Sequence, residues 1–213
     1  MSYCVFCEII AGRSPATVFY EDDDVIAFRN VLLWVPVMLH VVPKQHLLQE
    51  ELWTSPLIGK IARIASSLGR EMCPKGFRLV SNVGPDAMQS QPHAHMHVVG
   101  GVYMGATGPL RRDEVEIPLH RDDALEVSQD EHGWVPVMML ASPLAHADQW
   151  AFWSDEEAFA RAASIVIAQA KANRRLQYGY RMAGNFGVDC GNPEQIPHLH
   201  ALGGTFLGEY VDT

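Results

Sequence analysis

Apolar positions fall into two spacings along this chain. Between positions 55 and 70 they recur at Leu57, Ile58, Ile61, Ile64, Ala65 and Leu68, the three-and-four spacing of a helix with one buried face. Ser55-Pro56 just ahead supplies a cap and a first-turn proline. Shorter apolar and β-branched runs surround that helix. Residues 17–20 and 25–28 flank the acidic turn Glu21-Asp22-Asp23-Asp24 and read as paired strands; 35–42, 76–81 and 94–99 read as three more. Residues 3–11 predict a brief helix or turn. The same order then returns, with strands predicted at 115–119, 125–127 and 135–140 and a helix over 155–174 capped by Ser154. Strands at 178–183 and 198–202 complete it. Each half is thus a small antiparallel sheet with one main helix, an α+β arrangement.

The recurrence is also literal. Trp34-Val35-Pro36-Val37-Met38 reappears as Trp134-Val135-Pro136-Val137-Met138, and Pro43, His46 and Trp53 face Pro143, His146 and Trp153 at the same offset of 100. Three residues are then gained, so that Arg78, Asn82 and Asp86 face Arg181, Asn185 and Asp189 at an offset of 103. So long a period does not suit a solenoid. It suits two small domains, one over 1–102 and one over 113–213, joined by a linker from about 103 to 113.

Composition narrows the class. Hydrophobic residues are 48% and charged residues 19% of the 213, as in a globular protein. The net charge of −9 argues against binding polymeric nucleic acid, which needs excess Lys and Arg. No apolar run is long enough for a membrane span, and no secretory signal opens the chain, so a cytoplasmic location is expected. Four cysteines do not make a disulfide framework; Cys4 and Cys7 read as metal ligands, redox thiols or ordinary thiols. Arg78 and Arg181 read as solvated strand charges rather than phosphate ligands.

The densest chemistry is His93-Ala94-His95-Met96-His97. In an extended segment, alternation puts the three imidazoles on one face. That placement admits a solvated sheet face, a three-histidine metal site or a nucleophilic histidine with helpers.

His-x-His-x-His followed by Val98-Val99 resembles the signature of the histidine triad (HIT) superfamily of nucleotidyl hydrolases and transferases. The opening Cys4-Val5-Phe6-Cys7-Glu8-Ile9-Ile10-Ala11-Gly12, the segment Val41-Val42-Pro43-Lys44-Gln45-His46, and Asn82 ahead of Gln89-Ser90 are similar to that family's pattern in the same order. The resemblance covers most of residues 3–101 and is weaker in the second half. A tandem chain of this kind also resembles the galactose-1-phosphate uridylyltransferase branch. It implies two HIT-like domains packed as an intrachain pseudo-dimer, with further association left open.

The resemblance also implies roles. His95 matches the nucleophile at the α-phosphorus of a nucleotide conjugate, and His97 the neighbour that contacts phosphate or assists the leaving group. Asn82, Gln89 and Ser90 match substrate-binding positions. Cys4, Cys7, His46 and His93 match a structural zinc set; the second half has Met104, Thr107, His146 and Ile196 there, so three of the four vanish together. The implied substrates are dinucleoside polyphosphates, nucleoside phosphoramidates or nucleotide sugars.

Two features depart from the pattern. Met38, like Met138, stands where the family usually has a pocket histidine; His40, two residues along the strand, either substitutes for it or meets solvent. The second half keeps His198, His200 and Asn185, a possible second site in which His198 is a nucleophile, a ligand-binding residue or a relic. Two other classes stay open: a nucleotide-binding protein without turnover, and a zinc-dependent hydrolase that uses His93, His95 and His97 as ligands.

Overall fold

A computed structural model describes residues 3–108, 110, 117–130 and 133–208. The first half contains α1 (Val5–Ile10), β1 (Val18–Glu21), β2 (Val25–Arg29), β3 (Val37–Pro43), α2 (Gln49–Trp53), α3 (Leu57–Met72), β4 (Gly76–Val83) and β5 (Met96–Gly100). The second contains β6 (Ile117–Arg121), β7 (Leu125–Asp130), β8 (Val137–Pro143), α4 (Gln149–Ser154), α5 (Glu156–Ala172), β9 (Tyr180–Gly187) and β10 (Leu199–Gly203).

Among the described residues, ten strands form one antiparallel sheet in the order β1-β2-β3-β5-β4-β9-β10-β8-β7-β6. The order is a palindrome about the β4–β9 seam. There the register runs from Gly76 opposite Gly187 to Val83 opposite Tyr180, so the two halves share a continuous ladder. The helices α2 to α5 lie over the seam on one face. Beneath them Phe77 and Phe186 stack at 4.5 Å across it. α3 and α5 approach so closely that a Cβ on Gly59 would lie 2.1 Å from the Glu156 carbonyl oxygen.

The other face of the first half is covered by α1, whose Phe6 packs with Ile26, Phe28 and Val42. β3 is therefore covered on both faces, which is why it reads as a near-continuous apolar run rather than as alternation, whereas β4 is buried along its length but carries Arg78, Ser81 and Asn82.

Several local expectations shift. β5 begins at Met96, so His93 and His95 lie on the extended lead-in and only His97 belongs to the ladder. Asp155, not Ser154, caps α5 by accepting from the Ala158 N–H; Ser154 instead closes α4. Ser55 does accept from the Leu57 N–H at 3.2 Å. The helices α2 and α4 are too short to show periodicity and were not expected. Of the expected linker, 109 and 111–113 lie outside the described residues, as do 115 and 116 of the expected strand. Among the described residues no helix is long and apolar enough to cross a membrane.

Candidate active site and metal cluster

Cys4 stands at the start of α1 and Cys7 one turn on. The loop after β3 supplies His46 and the lead-in to β5 supplies His93. Their ligand atoms all lie within 4.8 Å of one another. Cys4 Sγ and Cys7 Sγ are each 3.5 Å from His93 Nδ1, and Cys7 Sγ is 3.2 Å from His46 Nδ1. His93 Nε2 lies 2.9 Å from the Pro43 carbonyl oxygen, which only accepts, so Nδ1 presents its lone pair to the thiols. Sulfur and nitrogen ligands of a tetrahedral ion, at about 2.3 and 2.0 Å from it, stand roughly 3.5 Å apart, so the donor set fits a metal. Burial, with Cys4 close by, pushes the Cys7 thiol up from its ordinary value, an effect that a bound cation reverses.

His95 and His97 belong to a different group. His95 Nδ1 lies 2.9 Å from the His93 carbonyl oxygen, so Nδ1 carries the proton and Nε2 the lone pair. That Nε2 is 3.1 Å from His97 Nε2. His40 completes the group: it is buried, and its ring stands 5.2 Å from that of His95 and 4.8 Å from that of His97. Of the two alternatives for His40, solvent is therefore excluded. Met38 instead packs with Val80, Val99 and Met104. Burial lowers the His95 pKa to about 4, against the opposing effect of the His93 carbonyl, and holds His40 and His97 well below the usual range.

The His95 backbone is clamped. Its N–H donates to Gln49 Oε1 at 2.9 Å, and its carbonyl accepts from Gln49 Nε2 at 2.6 Å and Ser81 Oγ at 3.0 Å. Gln49 sits on α2 and was not singled out from the sequence. Its offset partner Gln149 repeats both backbone contacts on His198, a signal the repeat already held.

A cleft of about 770 Å³ opens onto His40, His95 and His97. Ser90 lines it together with Phe28, Asn30 and Trp34. Gln89 faces inward to its own loop: Oε1 accepts from the Gly84 N–H at 2.8 Å and Nε2 donates to the Gln91 carbonyl at 2.9 Å. Asn82 is buried on β4, and its Oδ1 accepts from Arg181 Nε at 2.9 Å.

The arginine expectation is overturned. Arg78 and Arg181 are 6% and 5% exposed, and each crosses the seam to the asparagine of the other half. Arg78 Nε donates to Asn185 Oδ1 at 2.7 Å. Desolvation of that kind is tolerated only with full pairing, and Arg181 gains a second acceptor in the Gly208 carbonyl at 2.6 Å.

The second half holds its histidines differently. His198 Nδ1 lies 2.8 Å from the Ile196 carbonyl oxygen, while Nε2 accepts the Asn185 backbone N–H at 3.0 Å. The nitrogen equivalent to the His95 lone pair is therefore engaged by the sheet. The connecting segment also crosses this region. Thr107 Oγ1 donates to Asn185 Oδ1 at 2.8 Å and its carbonyl accepts from Trp134 Nε1 at 2.6 Å. A Cβ on Gly108 would stand 3.7 Å from His200 Nε2. His146, counterpart of His46, pairs with Asp155 at 3.2 Å.

The HIT-domain family model matches residues 11–104. A 14 kDa zinc-binding protein of Brassica juncea is 36% identical over 106 residues, covering 47% of this chain and 94% of the relative. An adenylylsulfatase HINT1 of Arabidopsis thaliana is 35% identical over 106 residues, covering 47% of this chain and 72% of the relative. Among solved structures, a HIT family hydrolase from Clostridium thermocellum is 33% identical, with a TM-score of 0.47 over 50% of this chain and 97% of the other. The chain belongs to the HIT family. It carries two HIT-like domains, of which the first matches these relatives.

Proposed function

We propose that the first half hydrolyses or transfers a nucleoside monophosphate from a nucleotide conjugate through a covalent nucleotidyl-His95 intermediate. One observation carries this reading: the His93 carbonyl fixes the His95 tautomer, so that a neutral Nε2 lone pair faces the cleft beside His97. Nε2 attacks the α-phosphorus, and the bond to the leaving group breaks with its electron pair going to that group. His97, whose Nε2–H faces His95, supplies the leaving group or the phosphoryl oxygens with a proton or hydrogen bond. Water or another acceptor then attacks phosphorus and the P–N bond breaks, which divides one hard displacement into two easier ones.

In this reading Asn82, Ser90 and His40 hold the substrate, while Gln89 shapes the loop that presents Ser90. Zinc in the Cys4, Cys7, His46 and His93 set is structural, and the donor set of two thiolates and two imidazoles supports it. We assign a cytoplasmic protein with domains over 1–102 and 113–213. Dinucleoside polyphosphates, nucleoside phosphoramidates and nucleotide sugars are the candidate substrates. The name of the Arabidopsis relative adds adenylyl sulfate.

The test is chromatographic detection of nucleoside monophosphate released from adenosine and uridine conjugates of these four kinds. Release by wild type and by His198→Ala, with loss of at least about 1,000-fold in His95→Ala, is the expected result. Binding without release from any conjugate would replace this reading with that of a nucleotide-binding protein.

A further inference from the structure

His40 sits where its presence creates a second group of potential ligands. Ring nitrogens of His40, His95 and His97, one from each residue, all lie within 4.8 Å of one another. The rings are mutually inclined at 63° to 83° rather than stacked, so their edges converge. His40 is 8% exposed, and its Nδ1 is buried with no hydrogen-bond partner. Burying an imidazole nitrogen without a partner is unfavourable unless something else satisfies that ring. Phe6 packs against His40 and His95, and Phe28 against His40. Both phenylalanines also line the cleft onto which the three histidines open, which leaves an open coordination position. The His93 carbonyl already holds His95 Nδ1–H, the outer hydrogen bond that orients a metal-ligating imidazole.

We propose that His40, His95 and His97 form a second metal site, taking one Zn²⁺-class ion through three neutral imidazoles, separate from the Cys4, Cys7, His46 and His93 set. Imidazole ligands suit Zn²⁺, Cu²⁺ and Ni²⁺. The consequence for chemistry rests on the reading of His95 as nucleophile. A metal on Nε2 removes the lone pair that would attack phosphorus, so this site switches turnover off, and removal of the ion restores it. His93 takes no part, because its Nδ1 faces the thiols and its Nε2 faces Pro43. The arrangement therefore differs from a metal held by the three consecutive motif histidines.

The experiment is stoichiometry of Co²⁺ and Zn²⁺ on the full chain, measured by elemental analysis after gel filtration and by Co²⁺ absorption. Wild type is expected to bind two ions per chain. His40→Leu and His40→Met are expected to bind one, with thiolate-to-Co²⁺ absorption retained, which shows that the first site and the fold persist. One ion in wild type, or two in both variants, would overturn the proposal. Turnover of the best conjugate is then measured with one and with two equivalents of Zn²⁺. A fall of at least 10-fold with the second equivalent, reversed by a weak chelator, is expected. Unchanged turnover with two bound ions would overturn the switching role. A chain with no turnover at any loading would instead defeat the nucleotidyl-transfer reading, while the ion count still decides whether the site exists.

Discussion

At the level of single residues, hydrogen-bond partners separate two histidines that the sequence makes equivalent. His95 and His198 share their motif position, their glutamine clamp and a carbonyl on Nδ1. They differ at Nε2, which faces His97 and the cleft in one and the Asn185 N–H in the other. His198→Ala therefore strands a buried backbone donor and leaves a void, and we expect a loss of about 1–3 kcal/mol, read as a lower urea midpoint. The grouping of Cys4, Cys7, His46 and His93 was legible through the motif resemblance, helped by the joint loss of Cys4, Cys7 and His93 in the second half; His95 and His97 stood out through the motif itself, which the second half keeps as His198 and His200. The environment of His40 was not, since period two in a strand says which face a residue takes but not what covers that face. Arg78 and Arg181 were misread for a related reason: their asparagine acceptors lie 107 and 99 positions away, across a seam that no local pattern reports.

Elements are braced by the same device in both halves. Asp22 accepts the Asp24 and Val25 N–H groups, each at 2.9 Å, and the Tyr20 hydroxyl at 2.7 Å, and pairs with Lys60 of α3. Asp122 accepts the Ala124 and Leu125 N–H groups and pairs with Arg161 of α5. Burial alone would raise the Asp22 pKa, but these hydrogen bonds outweigh it and hold the carboxyl well below the usual range. A group depressed in the folded state adds stability above its unfolded value of about 3.9 and loses it as pH falls toward the folded one. Unfolding free energy of wild type should fall more steeply below about pH 4 than that of Asp22→Asn, measured by urea titration across the range. α1 depends on a different brace. It has six residues, too few to be stable alone, and the Cys4 and Cys7 thiols tie it to the strand lead-in. Chelation, or Cys4→Ser, should lower the melting temperature by several degrees and loosen α1 first, as seen by amide exchange. The five longer strands and the main helix of each half were readable from periodicity. The short helices α2 and α4 were not, because five or six residues do not define a period.

For the whole molecule, the seam makes the two halves mutually dependent. Arg181 belongs to the second half, yet it holds the Oδ1 of Asn82 in the first and so orients that amide. Arg181→Met should lower kcat/KM by about 10-fold while His95 stays in place, as expected when a positioning contact is lost. A circular dichroism melt would separate this from unfolding, and Arg181→Lys should not restore activity, since lysine lacks the planar fork. The two domains were legible from the repeat and their pairing was implied by the HIT resemblance, but the continuous ladder across β4 and β9 was not, because edge strands of two domains look alike in sequence whether or not they meet. The palindromic strand order carries one more consequence. In a dimer of identical chains every substitution arrives twice, at both sites at once, so a change that ruins chemistry ruins all of it. Here a substitution arrives once. One lobe can therefore hold Nε2 of its motif histidine against a strand N–H, as at His198, while the other keeps that nitrogen beside a cleft, as at His95.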